Sequence, residues 1–511
     1  MTKPSEKLAQ SLKIMSKYQN EYGIAVIKSS DISRTHRDRL VSRGFLKEIL
    51  KGWYYSTSPD EVDGDSTSWF TSYWHFISVY SKERFGKQWT LSPEQSLIIH
   101  SGNYSVPVQI LIRSPKAGNN RIALLHNTSL IDVTSSIPGK KEIVEKDGLN
   151  LFSLHSALIA CSPNFFQQHP TEARTALSMV KDATSLLYQL LEGGNSTIAG
   201  RLTGAFRSIG SGAIADEILS VFRSADYEIR ENNPFTEKDS VILDTREISP
   251  YVNRVRLMWQ KLREYVSGTF PNEPGIPGNH KEYFNSIDDI FVSDAYHSLS
   301  IEGYRVAPEL IEKVRTGDWN PAENEEDKKQ INAMAARGYW QAFKTVKQSI
   351  KKILEGDDPG EVVENDHRIW YRELFSTSVT AGILKLSDLA GYRNGPVYIK
   401  GSRHIPPGPP AVRDLMPAMF DLLKEEQEAS VRAVLGHFFF VYIHPYMDGN
   451  GRIGRFLMNT MLASGGYTWL IIPTERRIEY MAALEKASVE QDISDFTDFL
   501  LSVSGTDLNQ G

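Results

Sequence analysis

His444, Asp448, Arg452 and Arg455 crowd into one short run, His444-Pro-Tyr-Met-Asp-Gly-Asn-Gly-Arg-Ile-Gly-Arg455. Gly449 and Gly451, on either side of Asn450, let the backbone take positive φ and turn successive N–H groups into one concavity, which is an anion nest. The residues that follow are apolar at Ile453, Phe456, Leu457 and Met461, which predicts a helix starting near Arg452. A helix N-terminus adds unpaired N–H groups and the positive end of the dipole, so phosphate is the natural occupant. Arg452 and Arg455 are three apart, project from the same first turn and can fork onto further phosphate oxygens. A triphosphate would use all of these groups. Asp448 beside a polyphosphate suggests magnesium, which takes one or two carboxylates plus phosphate oxygens. His444, with an ordinary pKa of roughly 6.5, can serve as general base.

These residues need elements to hold them. The apolar run 431–442 predicts a helix that ends at His444-Pro445, because proline cannot continue a helix interior and biases its predecessor away from helical angles. Upstream and downstream the periodicity predicts further helices over 283–303, 325–355, 366–381, 411–428, 452–464 and 474–487. That run predicts an all-α catalytic domain over residues 281–511. Between its helices, residues 395–405 are bounded by Gly395 and by Pro406-Pro407, which suggests a small β-hairpin. Pro271, Pro274 and Pro277 with their neighbouring glycines mark residues 267–280 as a linker.

The first half reads differently. A helical stretch over 6–23, a short apolar run at 24–28, a second helix through His36, Leu40 and Val41 to a stop at Gly44, and two extended runs turning at Gly52 predict a winged helix-turn-helix over residues 1–58. Arg34, Arg37, Arg39, Arg43, Lys47 and Lys51 cluster on its second helix and wing, where a DNA-reading element needs cations. Residues 59–240 mix β-branched runs such as 106–112 with helical stretches such as 171–191, which predicts a mixed α/β domain. Its aromatics, Trp69, Trp74 and Phe76 among them, are read as core.

Composition narrows the class. In 511 residues the apolar fraction is 41% and the charged fraction 23%, as expected of a soluble multidomain globular protein. Cys161 is the single cysteine, which excludes an internal disulfide and fits a reducing compartment. The longest apolar stretch, 434–443, is broken by Gly436 and His437 and falls well short of the roughly 20 residues a membrane helix needs. The first fifteen residues lack the apolar core of an export signal. A cytoplasmic protein without a membrane span is the expectation. A net charge of -6 gives no global pull toward nucleic acid.

The 444–455 run resembles the signature of Fic-domain proteins, His-Pro-aromatic-x-Asp-Gly-Asn-Gly-Arg-x-x-Arg, with Tyr446 where phenylalanine is usual. The resemblance extends over about 276–501. It implies a protein adenylyltransferase that moves AMP from ATP to a Ser, Thr or Tyr hydroxyl, with pyrophosphate leaving. His444 would deprotonate the target, Asp448 would hold Mg2+, and Gly449, Asn450, Gly451, Arg452, Gly454 and Arg455 would bind ATP. Val397, Tyr398, Ile399 and Lys400 match the family's flap, which pins the target by strand addition. Tyr480 falls where the family often places a residue against the nucleoside. Ser298-Leu-Ser-Ile-Glu302-Gly303 matches the family's inhibitory pattern, with Glu302 taking the cation meant for the γ-phosphate. Residues 1–235 resemble the antitoxin of AbiE-type toxin–antitoxin systems, on Ser29-Ser30-Asp31-Ile32, residues 36–44, Gly52-Trp53-Tyr54-Tyr55, residues 201–210 and Asn233-Pro234-Phe235. That implies a regulatory half that binds DNA through residues 1–58.

The leading expectation is therefore an autoinhibited adenylyltransferase whose partners are ATP and a protein with an exposed hydroxyl; a homodimer is compatible with it. Two rivals stand beside it. One is an enzyme that uses another nucleotide, or a deAMPylase in which Glu302 positions a water. The other is a nucleotide-responsive DNA-binding transcription regulator of toxin–antitoxin type, against which the intact His444 argues.

Overall fold

A computed structural model describes residues 4–20, 23–62, 64–236, 249–317 and 331–504. The chain divides into two units: Met1–Arg254 with Tyr398–Ile405, and Val255–Val397 with Pro406–Gly511.

In the first unit the helix predicted over 6–23 runs Pro4–Met15, and a second helix runs Arg34–Ser42. Three short antiparallel strands lie in the order Val26–Lys28, Trp53–Ser56, Leu46–Leu50. Gly52, at φ 87°, makes the turn between the last two, a backbone angle that favours glycine. Met15, Ala25, Ile27, Ile32, Leu40 and Leu46 close a small core beneath them. The Thr67–Phe85 helix then buries Trp69, Tyr73 and Phe76 against a four-stranded sheet. Its strand order is Thr90–Leu91, Gln109–Ser114, Ser129–Thr134, Arg121–Ala123, with the central pair parallel and the outer pairs antiparallel. Trp74 is only partly buried, and its indole N–H donates to Tyr104 O at 2.7 Å. A hairpin, Ile143–Lys146 with Leu149–Phe152, leads into six helices between Leu154 and Ser224. The expected domain boundary at 240 lies outside the described residues.

The second unit is helical. Two expectations are corrected here. The linker placed at 267–280 begins too early: a helix spans Pro250–Thr269, so only the stretch between Thr269 and His280 lacks regular structure. Trp259 of that helix stacks on Phe439 at 5.6 Å, and Arg263 pairs with Glu426 and Glu428, which tie it to this unit although no apolar run announced it. The hairpin expected over 395–405 does not form. Its backbone groups find other partners: Gly401 N donates to Thr67 Oγ1 at 2.8 Å, and Arg403 O accepts from Val106 N at 2.8 Å. Ile405 packs into the aromatic core of the first unit, which is why residues 398–405 group with it.

The helices that position the site are His280–Ile301, Ile331–Leu354, Pro359–Thr380, Pro409–Glu425, Ala429–Ile443, Asn450–Ser464 and Arg477–Glu490. The predicted start of the second of these, 325–330, lies outside the described residues. Ala429–Ile443 is buried at every position, as a helix apolar on all faces must be. Burying each of Phe438, Phe439 and Phe440 contributes about 1.5–3 kcal/mol, so the helix that presents His444 is a rigid mount.

Candidate functional site

The Ala429–Ile443 helix stops at His444, which sits in the left-handed region at φ 54° and ψ 59°. For a non-glycine residue that conformation costs about 1–2 kcal/mol. The turn is held by His444 N donating to Phe440 O at 3.0 Å, and Pro445 prevents any further helical turn. On the ring, Nδ1 lies 3.0 Å from Val441 O. A carbonyl can only accept, so Nδ1 carries the proton and Nε2 is the basic nitrogen. Burial pushes the His444 imidazole below its ordinary range. The Val441 carbonyl opposes that, Arg393 adds to it, and Glu302 and Asp448 oppose it, leaving a net lowering. The ring is neutral at neutral pH, as a base must be.

Asn450 closes the loop. Its Oδ1 accepts from Tyr446 N and its Nδ2 donates to Tyr446 O, both at 2.8 Å. Both polar atoms of its amide are thus bonded to the loop's own backbone, which shapes the nest. Gly449 is the one loop glycine at positive φ, 82°, and a side chain there would also strike the Phe375 ring. The following helix begins at Asn450 rather than near Arg452, so Gly451 is already helical. Its first turn presents amide N–H groups that no helical carbonyl can reach.

Arg452 is 1% exposed on its side chain, with its guanidinium over the rings of Tyr304 and Phe375, each 5.1 Å from the centroid. Its Nη2 lies 3.2 Å from Asp448 Oδ2. Arg455 donates from Nε to Ser298 Oγ at 2.9 Å, and from Nη2 to Ser298 O at 3.0 Å and to Glu302 Oε1 at 2.7 Å. Burial pushes the Glu302 carboxyl up, but Arg455 and Arg452 outweigh it and hold the group below its ordinary range. Burial likewise disfavours the Arg455 cation, and Glu302 reverses that, raising it. A methyl group built on Gly451 would collide with Glu302 Oε1, so the carboxylate stands directly over the start of the helix. Glu302 ends the His280–Ile301 helix, where Gly303 at φ 89° turns the chain away.

The other expected residues lie elsewhere. Gly454 faces the Ala429–Ile443 helix: a Cβ there would sit 3.1 Å from Val441 Cγ1 and 3.2 Å from His437 Nδ1. It serves close packing of the two helices. Tyr480 is 2% exposed and buried in the core, with its hydroxyl 2.8 Å from His437 Nε2. Val397 is buried in the second unit, while Tyr398, Ile399 and Lys400 belong to the first. Among the cations expected to meet DNA, Arg34 and Arg37 pair with Asp38, Arg39 donates to Lys7 O and Ser11 Oγ, and Lys47 pairs with Glu61.

No three or more His, Cys, Asp or Glu side chains among the described residues gather in a way that could hold a metal ion. Asp448 offers one carboxylate, 61% exposed, which also accepts from Gly449 N at 2.6 Å. That fits a cation whose remaining ligands are phosphate oxygens and water.

Sequence reasoning missed Arg393, whose backbone and side chain reach the His444-Pro445 step, because nothing in its local pattern points across 51 residues. It also missed Tyr371, which stacks on Tyr446 at 3.7 Å and 7°. Beside them lies a cavity of 840 Å³ whose walls include Arg368, Tyr371, Asp388, Tyr392, Arg413 and Met447.

Residues 363–462 match the Fic/DOC family. The chain is 42% identical over 113 residues to the proteins named protein adenylyltransferase Fic of Drosophila willistoni and Drosophila mojavensis. The matched segment is 21% of this chain and 22% of either relative, so the chain spans about a fifth of their length. Among solved structures, a Fic-domain-containing signaling protein from Bacteroides thetaiotaomicron aligns at 18% identity and a TM-score of 0.33, covering 50% of this chain and 93% of that one. A Fic-1 fragment from C. elegans aligns at 18% identity and 0.36, covering 66% and 96%. The chain thus carries a Fic/DOC domain in its C-terminal part.

Proposed function

We propose, taking the Fic/DOC domain as the premise, that this chain transfers AMP from ATP to a Ser, Thr or Tyr hydroxyl of a protein and is held off in its resting form by Glu302. The observation that carries the reading is the His444 ring: its Nδ1 proton is committed to Val441 O, leaving a neutral, basic Nε2 beside a helix N-terminus suited to phosphate. The name borne by the Drosophila relatives over the matched segment supports it.

In the transfer, Nε2 of His444 takes the proton of the target hydroxyl as that oxygen attacks the α-phosphorus. The bond from the α-phosphorus to the oxygen bridging to the β-phosphorus breaks, and pyrophosphate leaves with that electron pair. Arg452 and the first-turn amides of the Asn450–Ser464 helix hold phosphate oxygens. Asp448 is the residue that would hold Mg2+, which supplies charge neutralisation on the triphosphate. Arg455 is the remaining cation, and it is already bonded to Glu302 and Ser298. ATP meeting that arrangement lacks one phosphate anchor, and binding that does not reach the transition state lowers the rate.

The test is label transfer from α-labelled ATP to lysate proteins by wild type, Glu302→Gly and His444→Ala. The expected order is Glu302→Gly well above wild type, with nothing from His444→Ala. Equal labelling by wild type and Glu302→Gly overturns the inhibition, and transfer by His444→Ala overturns the base. Labelling by another nucleoside triphosphate in place of ATP overturns the donor. Release of AMP from labelled protein in place of transfer makes the chain a remover of AMP.

A further inference from the structure

Arg393 is 3% exposed and gathers backbone carbonyls from two separate stretches of the second unit. From the catalytic stretch, its backbone N–H donates to Pro445 O at 2.9 Å and its Nε to His444 O at 2.7 Å, with Nη2 3.4 Å from Ile443 O. From the other, Nη1 donates to Gly395 O at 2.9 Å and Nη2 to Pro407 O. Gly395 and Pro407 flank residues 396–406, which contain Val397, Tyr398, Ile399 and Lys400, matched above to the family's flap.

The need for such a clamp follows from the backbone. The last carbonyls of a helix have no helical donor, and Pro445 brings no N–H to supply one. His444 also carries the cost of a left-handed conformation, which persists only where its surroundings over-determine it. A planar guanidinium with a fixed fork of donors can answer several carbonyls at once, and its cation suits the negative end of a helix. The ammonium of lysine has the charge without the fork.

We propose that Arg393 is a positioning residue for the transfer: it holds the His444 backbone in its left-handed turn and sets the spacing between that histidine and the chain on either side of residues 396–406. The proposal rests on the reading of His444 as general base. The bonds named above run from Arg393 to backbone carbonyls, so its effect on His444 passes through the backbone. It also acts through charge: with burial it holds the imidazole low, against the opposing carboxylates of Glu302 and Asp448.

The test uses the full chain carrying Glu302→Gly, with Arg393→Met and Arg393→Lys added singly. Rates of transfer from α-labelled ATP to a fixed amount of lysate protein are measured against ATP concentration and pH, with melting temperature as the control for folding. In Arg393→Met the expected result is an apparent kcat lower by about a hundredfold, the scale of a small misplacement of a reacting group. The apparent KM for ATP should stay within about threefold, because the nest and its arginines are untouched. The acid limb of the rate profile should move up in Arg393→Met and stay in place in Arg393→Lys, which should still lose rate for want of the fork. A wild-type kcat in Arg393→Lys, or a loss carried wholly by KM, overturns the proposal. If Arg393→Met gives no cooperative melt, the kcat of Arg393→Lys decides. If the Glu302→Gly parent transfers nothing, the functional reading fails instead. The positioning role is then read from the His444 backbone carbon shifts, expected to leave left-handed values in Arg393→Met; unchanged shifts overturn it.

Discussion

Glu302 Oε1 and Arg455 Nη2 meet at 2.7 Å, and Ser298 holds the same guanidinium with its hydroxyl at Nε and its carbonyl at Nη2. The arrangement has two parts of unequal strength. The carboxylate supplies a charge-assisted bond, and the serine supplies aim.

Removing the aim alone should release part of the restraint. In Ser298→Ala the Arg455 Nε loses one acceptor while Glu302 stays in place. A single hydrogen bond is worth about 1 kcal/mol net, so transfer should rise about fivefold, well below the level of Glu302→Gly. Side-by-side label transfer checks it, and a rate equal to Glu302→Gly would show that the carboxylate adds nothing.

Tyr446→Phe should leave activity in place and raise stability. The Tyr446 ring stacks on Tyr371 at 3.7 Å, while its buried hydroxyl makes no hydrogen bond in the structure. An unpaired buried hydroxyl costs about 1–3 kcal/mol, so the phenylalanine usual in the family should gain about 1 kcal/mol once small packing changes are allowed. A lower melting temperature would contradict this.

Gly454→Ala should destabilise by about 1–3 kcal/mol through overpacking of the Ala429–Ile443 and Asn450–Ser464 helices. Val441 and His437 stand 3.1 and 3.2 Å from the added methyl group. Thermal melting gives the loss. Nucleotide affinity, measured with a fluorescent ATP analogue at low temperature, should change much less; a large affinity loss with an unchanged melt would show that Gly454 meets the nucleotide.

Stability should fall as pH drops from about 7 toward 4. Burial pushes His367 and His437 down to about 4 each, so below the ordinary imidazole value the unfolded chain takes up two protons that the folded chain does not. That stability is present above pH about 6.5 and is lost on acidification, at about 1.4 kcal/mol per pH unit for each group. Asp294, raised by burial to about 6, works the other way by one proton between pH 6 and 4. The net from these three groups is about one histidine's slope. Melting temperatures from pH 7.5 to 5 should decline, and His437→Phe should flatten the decline; a flat wild-type profile would refute it.

The sequence made the chemistry of residues 444–455 legible because its parts are neighbours in the chain, and spacing alone puts them near one anion. Glu302 was legible only through the family's pattern, since no local rule brings it to Arg455. The bonds of Asn450 to Tyr446 were not legible, because an amide that bonds a ligand and one that bonds the backbone look alike in sequence. The Pro250–Thr269 helix and residues 398–405 were misjudged for one reason: their partners, Phe439 and Glu426 in one case and Thr67 and Val106 in the other, lie far away in the chain. Arg393 acts on carbonyls, which every residue has, so no side-chain pattern announces it.

Residues 398–405 also bear on how such a gene could be rearranged. Their hydrogen-bond partners, Thr67 and Val106, are encoded in the first half of the reading frame, while the segment itself is encoded inside the second. A recombination joining a foreign front half at residue 255 would carry across eight residues fitted to a parent that is no longer there. Exchange of the front half therefore calls for a second, compensating change between 398 and 405, and the two halves are expected to be inherited together.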